Sequence, residues 1–121
     1  MIISVDFDGV LHYGTYPEIG YRCNEALHYL TKLHDEGHYI ILNTCRCGEA
    51  LIDAVNWVLE QRFPIDRVND NAEANILAYG SNARKINADV YIDDKNVGGL
   101  PDWSEIYRYI TEEGAKWKHQ V

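Results

Sequence analysis

The chain has no apolar stretch long enough to cross a membrane as a helix. Its N-terminus has no basic segment leading into an apolar run and a cleavage site, so no secretory signal is expected. Cysteine is scarce and odd in number: Cys23, Cys45 and Cys47. That argues against a disulfide framework and for a reducing, cytoplasmic setting. Cys45-Arg46-Cys47 is too tightly spaced for a zinc knuckle, and no second Cys/His pair stands at finger spacing, so free structural thiols are expected. Basic charge is also short. Eleven Lys and Arg face 19 Asp and Glu, a formal net charge of −8. A nucleic-acid polymer is disfavoured as a partner, because binding one requires a basic footprint. A small phosphorylated ligand is not, since one bound cation and a local lysine or arginine can reverse the field at a single site. There is no internal repeat, linker or low-complexity segment, and 121 residues suit one domain, 1–121.

The residues that are there alternate between two patterns. Met1-Ile2-Ile3-Ser4-Val5, Tyr39-Ile40-Ile41-Leu42 and Ala88-Asp89-Val90-Tyr91-Ile92 read as buried strands, and Phe63–Val68, with Pro64 at its start, as a weak one. Asn24 stands at a helix cap, followed by Ala26, Leu27, Leu30 and Leu33 at helical spacing, with Gly37 ending the run. Gly48–Arg62 is a second helix, with Leu51, Ile52, Val55, Val58 and Leu59 as its apolar stripe. A short helix with a brief Ile76-Leu77 core follows. The last helix is capped by Asp102 and carries Trp103, Ile106, Tyr107 and Ile110 on one face. Residues 112–121 form a polar tail expected to fray. Strand and helix in alternation predict an open α/β domain: Rossmann-like, three-layered, with a central, mainly parallel sheet.

The polar residues gather where such a sheet binds ligands, at the carboxyl ends of its strands. The first strand ends in Asp6-Phe7-Asp8-Gly9-Val10, whose two carboxylates leave an extended backbone on the same side. Gly9 then allows a sharp turn. Two crowded acids need a cation or a shared proton, and oxygen donors favour a hard divalent ion, most simply Mg²⁺. Alone, these residues also fit a solvated surface turn. The second strand ends in Asn43-Thr44, the last in Asp93-Asp94, and Lys85 lies between those two strand ends in the chain. His12–Gly20 is expected to be an ordered loop or small hairpin beside the aspartates.

Asp6-Phe7-Asp8-Gly9-Val10, Thr44, Lys85 and Asp93-Asp94 stand in the order and context of the haloacid dehalogenase-like (HAD) hydrolase superfamily, which the first 100 or so residues resemble. The run from Ile92 to Trp103 resembles a narrower group of small bacterial and phage-type members. Some superfamily members with a similar acidic pair are 5'(3')-deoxyribonucleotidases. The resemblance implies a Mg²⁺-dependent phosphatase with Asp6 as nucleophile, forming an aspartyl-phosphate, and Asp8 as general acid/base. That second role requires the pKa of Asp8 to rise relative to Asp6. Thr44 and the Cys45 amide would hold phosphoryl oxygens, and Lys85 would neutralise charge at the nucleophile. Asp94 would meet the metal directly, with Asp93 orienting Lys85 or a metal-bound water, although the two could be exchanged. Asp6 and Asp8 complete the implied metal set, Asp8 usually through its backbone carbonyl. Val10 departs from the threonine of many members and touches loop geometry rather than the nucleophile.

Superfamily caps are inserted after the first motif or between the second and third. Here both intervals are needed to build the sheet, so no substantial cap is expected, and the site is open unless an oligomer partner covers it. Substrate contacts then come from loops: His12, Tyr13, Tyr16, Arg46 and Lys95 are candidates. The Arg46 fork would take a second anionic group of a nucleotide, sugar phosphate or other small phosphoester, or else pair with Glu49. Other readings stay open. The metal-ligand pair speaks against a dehalogenase and the missing cap against a phosphomutase. A receiver-like phospho-aspartate signalling module, or a catalytically weak HAD-fold binding protein, would share the acids at the strand ends.

Overall fold

The computed structural model describes residues 1–113. Four short strands, β1 (Ile2–Val5), β2 (Tyr39–Leu42), β3 (Arg67–Val68) and β4 (Val90–Ile92), form one sheet in the order β3-β2-β1-β4. Every pairing is parallel. Between and after them run α1 (Asn24–Asp35), α2 (Gly48–Glu60), α3 (Glu73–Tyr79) and α4 (Trp103–Arg108), the last continuing into a π-helical turn over Tyr109–Glu113. The architecture is Rossmann-like α/β, as the alternation of patterns predicts.

Consecutive burial in the strands shows why both faces must be covered. Ile3, Ser4 and Val5 are all buried, as are Ile40, Ile41 and Leu42. Ile3, Val5, Ile40, Leu42 and Ile92 join one core with Ala26, Leu30 and Leu33 of α1, Ala54 and Val58 of α2, and Trp103 and Ile106 of α4. Helix α1 ends where Gly37 takes φ +98°, a conformation that favours glycine, and the His38 amide returns to the Leu33 carbonyl.

Some expectations about the elements need correction. The apolar stripe of α2 is not all core: Ile52 and Leu59 are 59% and 68% exposed, and the buried positions are Ala54 and Val58. Of Phe63–Val68 only Arg67 and Val68 pair as a strand; Phe63 is instead a buried plug stacked on Trp57. Leu77 is exposed, and α3 has no buried residue, so the supposed Ile76-Leu77 core is absent. The last strand begins at Val90, not Ala88. Asp102 precedes α4 in extended conformation, but its side chain makes no capping bond. Most of the polar tail, 114–121, lies outside the described residues.

Candidate functional site

The sheet register lines up the strand ends. Val5 stands beside Leu42 on one side and Ile92 on the other, and Leu42 stands beside Val68. The next residue of each strand continues the row: the Asp6 amide donates to the Ile92 carbonyl, Asn43 to Val5, and Asn69 to Leu42. Asp6, Asn43, Asn69 and Asp93 are thus brought to one edge, with β1 and β4 meeting where the strand order reverses. An open cavity of about 460 Å³ lies at this edge. It is lined by Asp6, Asp8, Gly9, Gly14, Thr15, Asn43, Thr44, Cys45, Asp93, Asp94 and Lys95.

Asp6, Asp93 and Asp94 each place a carboxylate oxygen within 4.8 Å of the others. Asp94 Oδ1 is buried and has no hydrogen-bond partner. Gly9, at φ +79°, lies so close to Asp94 that a β-carbon there would sit 2.3 Å from Oδ2. Burial, followed by repulsion from Asp93 and Asp94, pushes the Asp6 carboxyl up to about 7, although the Phe7 amide donates to its Oδ1 at 2.8 Å. An all-oxygen set with one orphaned buried oxygen fits a hard divalent cation. Asp93 Oδ1 accepts the Lys95 amide at 2.8 Å, which tightens the turn after β4.

Asp8 has a different environment. Its carboxylate is outside the three-oxygen cluster. Arg46 donates Nε to Oδ2 at 2.9 Å and Nη2 to Oδ1 at 2.8 Å, a bidentate fork. His12 Nε2 adds a third bond to Oδ1 at 2.8 Å. Arg46, followed by His12, holds the Asp8 carboxyl below the usual carboxylate range. In the metal-free protein Asp6 is therefore raised and Asp8 lowered.

Arg46 and His12 do not line the cavity. Arg46 is 3% exposed, is absent from the cavity lining, and lies with its guanidinium 5.0 Å from the ring centres of both Phe7 and Tyr16. Its charge is spent on Asp8 rather than on Glu49. His12 is fully buried, and its Nδ1 accepts the amides of Gly14 and Gly20 at 2.9 and 3.1 Å. Because Nδ1 accepts, the ring hydrogen that faces Asp8 is on Nε2. The Gly14 and Gly20 backbones touch so closely that neither could carry a side chain without a shift. The loop after β1 is thus pinned, through His12, to Asp8.

Thr44 and Cys45 line the cavity, Thr44 nearly buried and Cys45 exposed. Thr44 Oγ1 accepts the Arg46 amide at 3.1 Å, which leaves the hydroxyl hydrogen for a ligand. Lys85 is not brought here. It is exposed, its Nζ lies 5.1 Å from the Tyr91 ring centre, and it lines a separate cavity with Asn71, Asn75, Tyr79 and Asn87. Sequence reasoning missed Asn69, whose Oδ1 accepts the Thr44 amide at 2.7 Å from a left-handed φ of +51°. Its signal was the polar Asn69-Asp70 pair ending the third strand, the counterpart of Asn43-Thr44. Thr15 and Gly14 carried no signal beyond their place in the loop.

Fold and site together define a small parallel α/β protein with an acidic, cation-competent cavity at the carboxyl edge of its sheet. No protein-family model matches the chain, and no curated protein matches it significantly. It is similar to a solved structure described as a conserved protein coded by a locus from Bacteroides thetaiotaomicron. The identity is 38% and the TM-score 0.83, over 93% of this chain and 91% of that one. The chain belongs to the family of that conserved Bacteroides protein. Among the described residues no helix is long and apolar enough to cross a membrane.

Proposed function

We propose that the chain is a Mg²⁺-dependent phosphomonoester hydrolase of the haloacid dehalogenase-like superfamily, acting on a small phosphoester from a reducing cytoplasm. The observation that carries this reading is the junction of Asp6 with Asp93 and Asp94 across β1 and β4, with an orphaned Asp94 oxygen and with Thr44 lining the same cavity. Free cysteines at positions 23, 45 and 47 support the compartment.

In this reading Asp6, Asp93 and Asp94 would hold the cation, which would supply positive charge that favours ionised Asp6 and screens it from an anionic substrate. An Asp6 oxygen attacks phosphorus as the bond to the leaving oxygen breaks, giving an aspartyl-phosphate and the alcohol. Thr44 and the Cys45 amide donate to the phosphoryl oxygens. Water then attacks phosphorus, the Asp6–phosphorus bond breaks, and inorganic phosphate leaves with Asp6 restored.

The Arg46 fork keeps Asp8 as an anion, and an anion accepts a proton; this suits it to activating the water of the second half. Protonating the leaving oxygen in the first half requires Asp8 to leave the fork and take up a proton. The test is turnover of a generic aryl phosphate with Mg²⁺, with and without EDTA, followed by a panel of nucleotides and sugar phosphates. Metal-dependent release of phosphate is the expected result. No turnover by the wild type on any ester of the panel would end the hydrolase proposal, and lasting phosphorylation of Asp6 without turnover would favour the signalling module.

A further inference from the structure

A phosphoester dianion entering the cavity meets Asp6, Asp8, Asp93 and Asp94 on a chain that is already strongly acidic. One divalent cation offsets only part of that charge, so a fixed side-chain cation at the cavity would lower the cost of bringing in the anion. Three residues could supply it. The Arg46 fork is taken by Asp8 and does not line the cavity. Lys85 lines a different cavity, over Tyr91.

The third is Lys95. It lines the acidic cavity, is exposed, and makes no ion pair among the described residues. Its backbone is not free to drift. The amide donates to Asp93 Oδ1 at 2.8 Å, so the turn that presents the Asp93 carboxylate also presents the lysine stem. The four-carbon stem then carries a compact, mobile charge with three donors, suited to an oxyanion.

We infer that Lys95, rather than Lys85, is the cation that binds the phosphoryl group at this cavity. The inference rests on the hydrolase reading above and deepens it by assigning the anion-binding side chain. It also predicts opposite effects on two ligands. Removing Lys95 takes away a hydrogen bond to the anion. It also removes a positive charge that opposes the metal.

Calorimetric titration separates these effects without relying on turnover. Inorganic phosphate is titrated into Mg²⁺-loaded wild type, Lys95→Ala, Lys95→Arg and Lys85→Ala, and Mg²⁺ into each metal-free protein. Lys95→Ala is expected to weaken phosphate binding by about tenfold or more, the usual loss for a charge-assisted hydrogen bond. Its Mg²⁺ affinity should be equal to or tighter than wild type, which also reports an intact fold. Lys95→Arg should recover part of the phosphate affinity, and Lys85→Ala should stay within about twofold of wild type by the same reasoning. In turnover, Lys95→Ala should raise KM more than it lowers kcat. Phosphate binding by Lys95→Ala within twofold of wild type, or a larger loss in Lys85→Ala, would overturn the assignment and leave the hydrolase reading standing. If wild type neither binds phosphate with Mg²⁺ nor turns over any phosphoester, the hydrolase reading falls and the role of Lys95 falls with it.

Discussion

Asp6 faces two further carboxylates, with no side-chain cation hydrogen-bonded to it. Asp8, two residues on, faces a guanidinium fork and an imidazole N–H. In sequence the two look interchangeable. In the fold, one sits at the reversal of strand order between β1 and β4. The other turns toward the loop after β1 and the start of α2. Neighbours decide the outcome: burial and like charge push Asp6 up to about 7, while Arg46 and His12 hold Asp8 down. The contrast assigns them different work. Asp6 lacks a counter-charge and suits a cation. Asp8 has one and holds the surrounding loop in place.

Arg46→Ala should break this contrast most severely on the stability side. It would leave Asp8 without its fork, remove the filling between Phe7 and Tyr16, and unfix the loop, at a cost of about 2–4 kcal/mol in urea unfolding. The partial exposure of Asp8 keeps the expected figure below that of a fully buried pair. Arg46→Lys should recover less than half, since a single ammonium cannot reproduce the fork.

Gly9→Ala tests the Asp6 side. Its new β-carbon would press on Asp94 Oδ2, and its backbone would sit at a positive φ. A stability loss of about 1–2 kcal/mol is expected from the backbone alone. Mg²⁺ affinity should fall further than that loss would suggest, by about tenfold as judged by calorimetry.

The same contrast sharpens as a pair of pH profiles of the metal-free protein. Asp6 is raised above its ordinary value of 3.8. Its contribution to stability is complete below that value and is lost as pH rises towards about 7. Asp8 is lowered, so its contribution is present above 3.8 and is lost as pH falls through its depressed pKa. Unfolding free energies of Asp6→Asn and Asp8→Asn, each subtracted from wild type, should therefore slope in opposite directions with pH. Parallel slopes would mean that the two carboxylates share one environment. The smallest effect belongs to Lys85→Ala, which should leave Mg²⁺ affinity within about twofold, because its ammonium is over Tyr91 in another cavity.

Much of this was legible in the residues because it depends on local pattern. Tyr39–Leu42 is an apolar run and Ile2–Val5 is apolar but for Ser4, which is buried with its neighbours, as strands covered on both faces require. Asp6 and Asp93-Asp94 follow strand ends directly, so a parallel register brings them together. The parts that were not legible depend on which distant side chain wins a partner. Arg46 stands beside the second strand end, as expected, yet its fork turns inward to Asp8. No spacing rule distinguishes an inward arginine from an outward one. Lys85 was placed by its position before β4, but that position lies before the strand begins, while the cavity lies beyond the strand's far end. Ile52, Val58 and Leu59 all fit one helical stripe, but of the three only Val58 joins the core, together with Ala54.

The central claim is that Asp6, supported by Asp93, Asp94 and a divalent cation, receives the phosphoryl group. The most direct measurement is a crystal structure of the protein with Mg²⁺ and beryllofluoride, a mimic of the phosphoryl group. The account predicts a beryllofluoride adduct on an Asp6 oxygen, a cation held by Asp6 and Asp94 with Asp93 beside it, and Thr44 within hydrogen-bond distance of a fluoride. An adduct on Asp8, or a cation bound away from Asp6 and Asp94, would contradict it.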